Sequence, residues 1–166
     1  MRVRRYRVTD SIEVGRLIAE TFREFNLSYA PPEEQEKLLG PFRHAFSDDA
    51  THRAQIAHRI DAPIVLVAED TASGRIVGVL RGRPGRLHSL FVRASRHRQG
   101  IGRRLMERLE RETRTAGLDK ITMQATLYAV PFYQRLGYVR STGVRSGPCF
   151  DGTDFRYQPM KKDLCG

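Results

Sequence analysis

Arginines alternate with Val3, Tyr6 and Val8 near the start of the chain, a period-two pattern that predicts a first strand over residues 3–8. Asp10 or Ser11 then offers a helix cap, and Ile12, Leu17, Ile18, Thr21, Phe22 and Phe25 recur at helical spacing behind it. Pro31 and Pro32 close a loop over 27–32, and two further helical stretches, 33–39 and 50–60, are separated by Gly40, Pro41 and the polar run 47–49. Residues 64–69 read as a buried strand, 70–74 as a turn and 75–83 as its hairpin partner. After Pro84 and Gly85, residues 87–92 form a third strand, in which simple alternation sets Leu87, Ser89 and Phe91 on one face and His88, Leu90 and Val92 on the other.

A helix over 100–115 follows, since Ile101, Leu105, Met106 and Leu109 share one stripe, with Glu107/Arg111 and Glu110/Arg114 as i,i+4 pairs. Gly117 ends it. A strand over 120–125, a short helix over 129–136 and strands over 138–145 and 154–161 complete the order β α α β β β α β α β β. No repeat or linker interrupts it, and 166 residues suit one domain of about 150, so residues 1–166 are expected to form a single α+β unit.

Composition narrows the class. Hydrophobic residues make up 40% of the chain, enough for a core, and the longest apolar run, 64–68, is far too short to cross a bilayer. Cys149 and Cys165 lack CxxC spacing, which removes a disulfide scaffold and a zinc ribbon and points to a reducing, cytoplasmic setting without metal. The charge is distinctive in its placement. Of a net +10, the window 71–106 contributes +9, with nine arginines and no Asp or Glu. Such one-signed windows serve bound polyanions, either a phosphorylated cofactor or a nucleic acid.

Within that window the strand 87–92 runs through Arg93-Ala-Ser-Arg-His-Arg-Gln-Gly-Ile-Gly102 into a helix. The first N–H groups of a helix lack internal partners and carry the positive end of its dipole, so glycines here open a route for a diphosphate. A Walker loop is excluded because Arg103 and Arg104 follow Gly102 where Lys and Ser/Thr are required. A dinucleotide fingerprint would need glycine at Leu105 and an earlier turn, although Asp119 lies near the place of its ribose-binding acid.

The loop His97-Arg98-Gln99-Gly100-Ile101-Gly102 resembles the Q/R-x-x-G-x-G/A loop of the GNAT superfamily of acyl-CoA N-acyltransferases, and Phe132-Tyr133-Gln134-Arg135-Leu136-Gly137-Tyr138 resembles its FYxxLGF signature. The resemblance runs over nearly the whole chain. It departs at His97, where Gln or Arg is usual, and at Thr126, where many relatives have Asn. It implies an αβα-layered fold with a mixed, mostly antiparallel sheet of six to seven strands, splayed between the strand ending at Val92 and the one starting near Lys120. Acetyl-CoA would lie in that split, its pantetheine arm against Leu90, Phe91 and Val92. Its diphosphate would meet His97, Arg98, Gln99, Gly100, Ile101, Gly102 and Arg103, with Thr126 and Phe132 completing the cofactor contacts. Arg104 is a further phosphate candidate.

The same resemblance matches Tyr133 to a tyrosine that protonates the leaving sulfur. His88, four residues before Val92 and near neutrality in basicity, is the candidate base for the acceptor amine. Tyr29, Asp151, Asp154 and Tyr157 fall on elements expected to flank the acceptor entrance, and Cys149 is read as a bystander. The leading expectation is an acetyl-CoA dependent N-acetyltransferase acting on a primary amine of a small molecule or protein, with no membrane partner and a homodimer open at the sheet edges. Its rivals are a non-catalytic acyl-CoA sensor and a basic nucleic-acid-associated module. The module is disfavoured because neither a helix-turn-helix signal nor interleaved stacking aromatics accompany the arginines.

Overall fold

In the computed structural model, which describes residues 1–165, the elements fall close to their expected places. Three helices rather than two stand between the first two strands, because the stretches 33–39 and 50–60 form separate helices. It comprises β1 (Arg2–Arg5), α1 (Ser11–Asn26), α2 (Pro32–Leu39), α3 (Ala50–Ile60), β2 (Ile64–Glu69), β3 (Ile76–Arg83) and β4 (Arg86–Val92). Beyond these come α4 (Ile101–Thr115), β5 (Lys120–Thr126), α5 (Val130–Arg135), β6 (Val139–Arg140), β7 (Arg145–Cys149) and β8 (Gly152–Asp163). The sheet order is β1-β2-β3-β4-β5-β8-β6, with β7 also paired to β8. Every pairing is antiparallel except β4 with β5.

The sheet is covered on both faces, which is why β2 is buried from Ile64 through Ala68 without alternation. One core gathers α1, α2 and α3 over Val65, Val67, Ile76, Val79 and Phe91. The other gathers α4 and α5 over Leu66, Val77, Leu80, Leu87, Ile121 and Met123.

The parallel junction decides where a ligand can go. Arg86 and Thr122 are the one registered pair between β4 and β5, supported by Thr122 N donating to Gly85 O at 3.0 Å. Past that point the strands part, while β5 stays fully paired to β8. A sheet split in this way leaves one edge of β4 without a strand partner.

Three local differences from the sequence reading have physical causes. First, β4 is bulged: Arg81 pairs with Ser89 but Gly82 pairs with Leu87, so His88 is an extra residue. The bulge shifts the alternation, and Leu87 joins Leu90 and Val92 against the α4 core while Phe91 enters the α1 core. Second, the strand expected over 138–145 is two short strands. Tyr138 is buried rather than laddered, and residues 141–144, bent at Thr142, separate β6 from β7, so the sheet holds eight strands in place of six to seven. Third, Glu110 does not face Arg114. It is 7% exposed and accepts hydrogen bonds from Tyr138 OH at 3.1 Å and Lys162 Nζ at 2.8 Å, whereas the i,i+4 pair that forms on α4 is Arg108 with Glu112.

At the N-terminus β1 stops at Arg5, and Asp10 does not cap α1. Its carboxylate instead accepts from the Arg4 guanidinium at 2.8 and 3.0 Å and from Arg7 N, which holds it below the usual carboxylate range against the cost of burial.

Candidate active site

The loop after β4 enters α4 through two left-handed residues, Arg98 at φ 62° and Gly100 at φ 76°. Gly100 is the N-cap of α4, with no side chain capping the helix, so the N–H groups of its first turn are open. The two loop glycines have different reasons to be glycine. Nothing lies within 4 Å of a Cβ at Gly100, so its backbone angle sets the demand, whereas a Cβ at Gly102 would come 2.9 Å from the Phe132 ring. Gly102 therefore permits α4 and α5 to pack closely as well as freeing the loop surface. His97 pins the base of the loop, its Nε2 lying 2.8 Å from Val92 O and its ring 4.9 Å from that of Phe25.

Beside this loop the split sheet opens into a cavity of about 1070 Å³. Arg93 N donates to Val77 O at 2.9 Å, which makes Phe91 the residue bonded to β3 and turns the N–H and C=O of Leu90 and Val92 toward the split. Leu90, Phe91, Val92, His97, Arg98, Gly100, Ile101, Gly102, Arg103, Thr126 and Phe132 all line the cavity, together with Tyr133 and His88. Gln99 does not. It is exposed and its amide reaches Ser95 O at 3.5 Å, because the left-handed turn at Arg98 carries the next side chain outward.

Tyr133 is 5% exposed, its hydroxyl makes no hydrogen bond among the described residues, and its ring stands edge-on to Phe132 and Tyr138 at 5.0 and 6.0 Å. Burial pushes its phenol well above the ordinary tyrosine range, so it remains a proton donor at any physiological pH. His88, placed in the cavity wall by the bulge, has its imidazole pushed down by burial and by the charges of Arg81, Arg86 and Arg83, which keeps it neutral and able to accept a proton. Thr126 has its hydroxyl engaged: Oγ1 donates to Asn26 Oδ1 at 2.7 Å, tying the end of β5 to the end of α1.

Residues 29–164 match the sequence model of the acetyltransferase (GNAT) domain. The chain belongs to the GNAT acetyltransferase family. It is 29% identical over 124 residues to glucosamine 6-phosphate N-acetyltransferase 1 of Oryza sativa subsp. japonica, covering 68% of each chain. Among solved structures it is similar to a GCN5-related N-acetyltransferase from Rhodopseudomonas palustris, at 22% identity and a TM-score of 0.78 over 98% of this chain and 95% of the other. It is also similar to the PaiA N-acetyltransferase of Thermoplasma acidophilum solved with coenzyme A, at 16% identity and a TM-score of 0.68 over 98% of each. The protein is thus an acyl-CoA dependent N-acetyltransferase of the GNAT family.

The residues first suspected of guarding the acceptor entrance of this GNAT chain serve its architecture. Tyr29 OH donates to Asp154 O at 2.9 Å and accepts from Arg156 N at 3.1 Å, and Asp151 faces Arg43 at 3.3 Å. None of Tyr29, Asp151, Asp154 and Tyr157 lines the cavity. Cys149 does, but its thiol is turned to Leu38 O at 3.5 Å and burial pushes its pKa up to about 11, which leaves it a poor nucleophile.

Sequence reasoning missed Arg81, Ser89, Asn26 and Phe25, all of which line the same cavity. One signal was present for Arg81, an arginine inside the otherwise apolar strand 76–82. No member of a metal-binding cluster is found among the described residues, and no described helix is long and apolar enough to cross a membrane.

Proposed function

We propose that the cavity transfers an acetyl group from acetyl-CoA to a primary amine by direct attack, with both substrates bound at once. The observation that carries this reading is the convergence, on one cavity, of an uncapped helix N-terminus, an unpartnered strand edge and a buried phenol with no partner among the described residues. The first-turn N–H groups of α4 and the Arg98 and Arg103 side chains suit a diphosphate. The Leu90 and Val92 backbone suits the amide-rich arm of the carrier, and one of their N–H groups suits the oxyanion of the tetrahedral intermediate.

The thioester supplies an electrophilic carbonyl. His88, directly or through a water, takes the proton that the amine gives up as its N–C bond forms. Tyr133 hands its proton to sulfur as the C–S bond breaks, and the phenolate is reprotonated from solvent. A thiol of pKa about 8.5 is a reasonable leaving group, so holding the two reactants together contributes at least as much as acid catalysis.

An amine-panel assay for free CoA, paired with calorimetric titration of acetyl-CoA, tests the reading. Expected are saturable acetyl-CoA binding and amine-dependent CoA release. Binding without release from any amine would identify an acyl-CoA sensor, and no binding at all would reject the site.

A further inference from the structure

The α1 face of the split sheet carries a second set of polar groups that the carrier does not need. Successive outward positions on β3, β4 and β5 place Arg81, Arg86, Ser89 and Gln124 on this face of the cavity, opposite the α4 core. Arg81 lies deep among them. Its Nε donates to Ile60 O at 2.8 Å, which leaves both terminal nitrogens for another acceptor, and no carboxylate bridges it among the described residues. Burial and the nearby Arg59 oppose its charge, and the exposed Asp61, the acid that favours it, lies outside the cavity.

Among the described residues, Arg86 reaches only Thr122 Oγ1, at 3.4 Å, and Ser89 Oγ is buried without a hydrogen-bond partner. A buried hydroxyl left unmatched is unfavourable, so this face is incomplete as it stands. Across the whole cavity wall there are arginines at 81, 86, 96, 98, 103 and 135, and no Asp or Glu. Arg98 and Arg103 belong to the diphosphate loop, Arg96 is held by Asp70 at 2.7 Å, and Arg135 is exposed at the end of α5, off the sheet face. Arg81 and Arg86 are left for something else.

We infer that the acceptor is an amine that also carries an anionic group, a carboxylate or a phosphate, seated against the terminal nitrogens of Arg81 with Ser89 Oγ as a second donor and Arg86 beside it. This inference rests on the acetyltransferase reading for the identity of the reactive end. With its anion held there, the acceptor's amine falls toward His88, which the β4 bulge places in the same part of the wall. A polycationic amine meets only like charge on this face, a repulsion that selects against it.

The test uses matched acceptors with saturating acetyl-CoA: an amino acid against its amide, glucosamine 6-phosphate against glucosamine, and spermidine as a polycation. The anionic member of at least one pair is expected to exceed its neutral partner tenfold or more in kcat/KM, the first pair reporting a carboxylate and the second a phosphate. In Arg81→Gln that ratio should fall toward one through KM, and in Arg86→Gln it should fall by a smaller factor. Acetyl-CoA affinity, measured by calorimetry on each variant, certifies the fold; if Arg81→Gln does not fold, Arg86→Gln decides.

Neutral amines or spermidine equalling the anionic acceptors, or a ratio unmoved in the folded variants, overturns the inference while leaving the acetyltransferase intact. If acetyl-CoA itself fails to bind, the transferase reading is what fails. Direct titration of the same amines then settles the anion seat: binding of anionic members that Arg81→Gln abolishes supports it, and its absence rejects it.

Discussion

The two ends of the cavity are built from different materials. Around α4 the binding surface is main chain: open N–H groups, the left-handed turn at Arg98 and Gly100, and the edge of β4 at Leu90 and Val92. On the α1 face it is side chain, with Arg81, Ser89, Arg86 and Gln124 projecting from strands whose own backbone is largely occupied. Main-chain surfaces depend on conformation and tolerate substitution, whereas side-chain surfaces change with every codon. On the proposed reading, this contrast lets a shared fold hold one carrier while its acceptors diverge, with specificity carried by the α1 face.

The sharpest break in this contrast comes from the groups between the two ends. Tyr133→Phe removes the phenolic proton proposed to reach the leaving sulfur while keeping the ring, so kcat should drop about 100-fold, within the usual range for general acids, with acetyl-CoA affinity retained. An unchanged kcat across pH would assign Tyr133 to packing alone. His88→Ala should reduce kcat/KM about tenfold and remove its acidic limb.

The limb itself carries information. His88 must be neutral to act, and burial together with Arg81 and Arg86 pushes it down, so activity should persist below the ordinary histidine value of about 6.5 and vanish as pH falls through the lowered one. Removing the charge in Arg81→Gln should move that limb to higher pH, and a limb that stays in place would separate His88 from the arginines.

Smaller effects probe the main-chain end. Gly100→Ala adds no clash but strains a residue at φ 76°, at about 1 kcal/mol, so acetyl-CoA should bind roughly fivefold more weakly by calorimetry with the acceptor preference untouched. Thr126→Val, which breaks the bond to Asn26, should cost about 1 kcal/mol and lower Tm by a few degrees with little change in either affinity.

Much of this was legible in the residues. The hairpin of β2 and β3, the stripe of α4 and the glycine-bearing loop follow from periodicity and turn chemistry, and most of the loop residues, with Phe132 and Tyr133 of the later signature, line one cavity. What could not be read has a common cause in long-range pairing. A bulge at His88 is invisible in a strand whose faces are both apolar, since Leu87 and Phe91 look alike until their partners Gly82 and Val79 are known. Glu110 fits an i,i+4 pair locally, yet Tyr138 and Lys162, 28 and 52 residues away, claim it. Tyr29 and Asp154 looked like loop residues free for substrate because the bond between them spans 125 positions.

The lone registered contact between Arg86 and Thr122 joins two half-sheets that otherwise share no ladder. A molecule wedged into the gap would act as a missing strand, and the β5 to β8 half would gain rigidity only when the wedge is present. At a hundred times its dissociation constant it would add about 2.7 kcal/mol to the folded state. Amide exchange in β5 and along the open edge of β4 should then slow on loading, so that the catalyst is completed mechanically by one of the compounds it consumes.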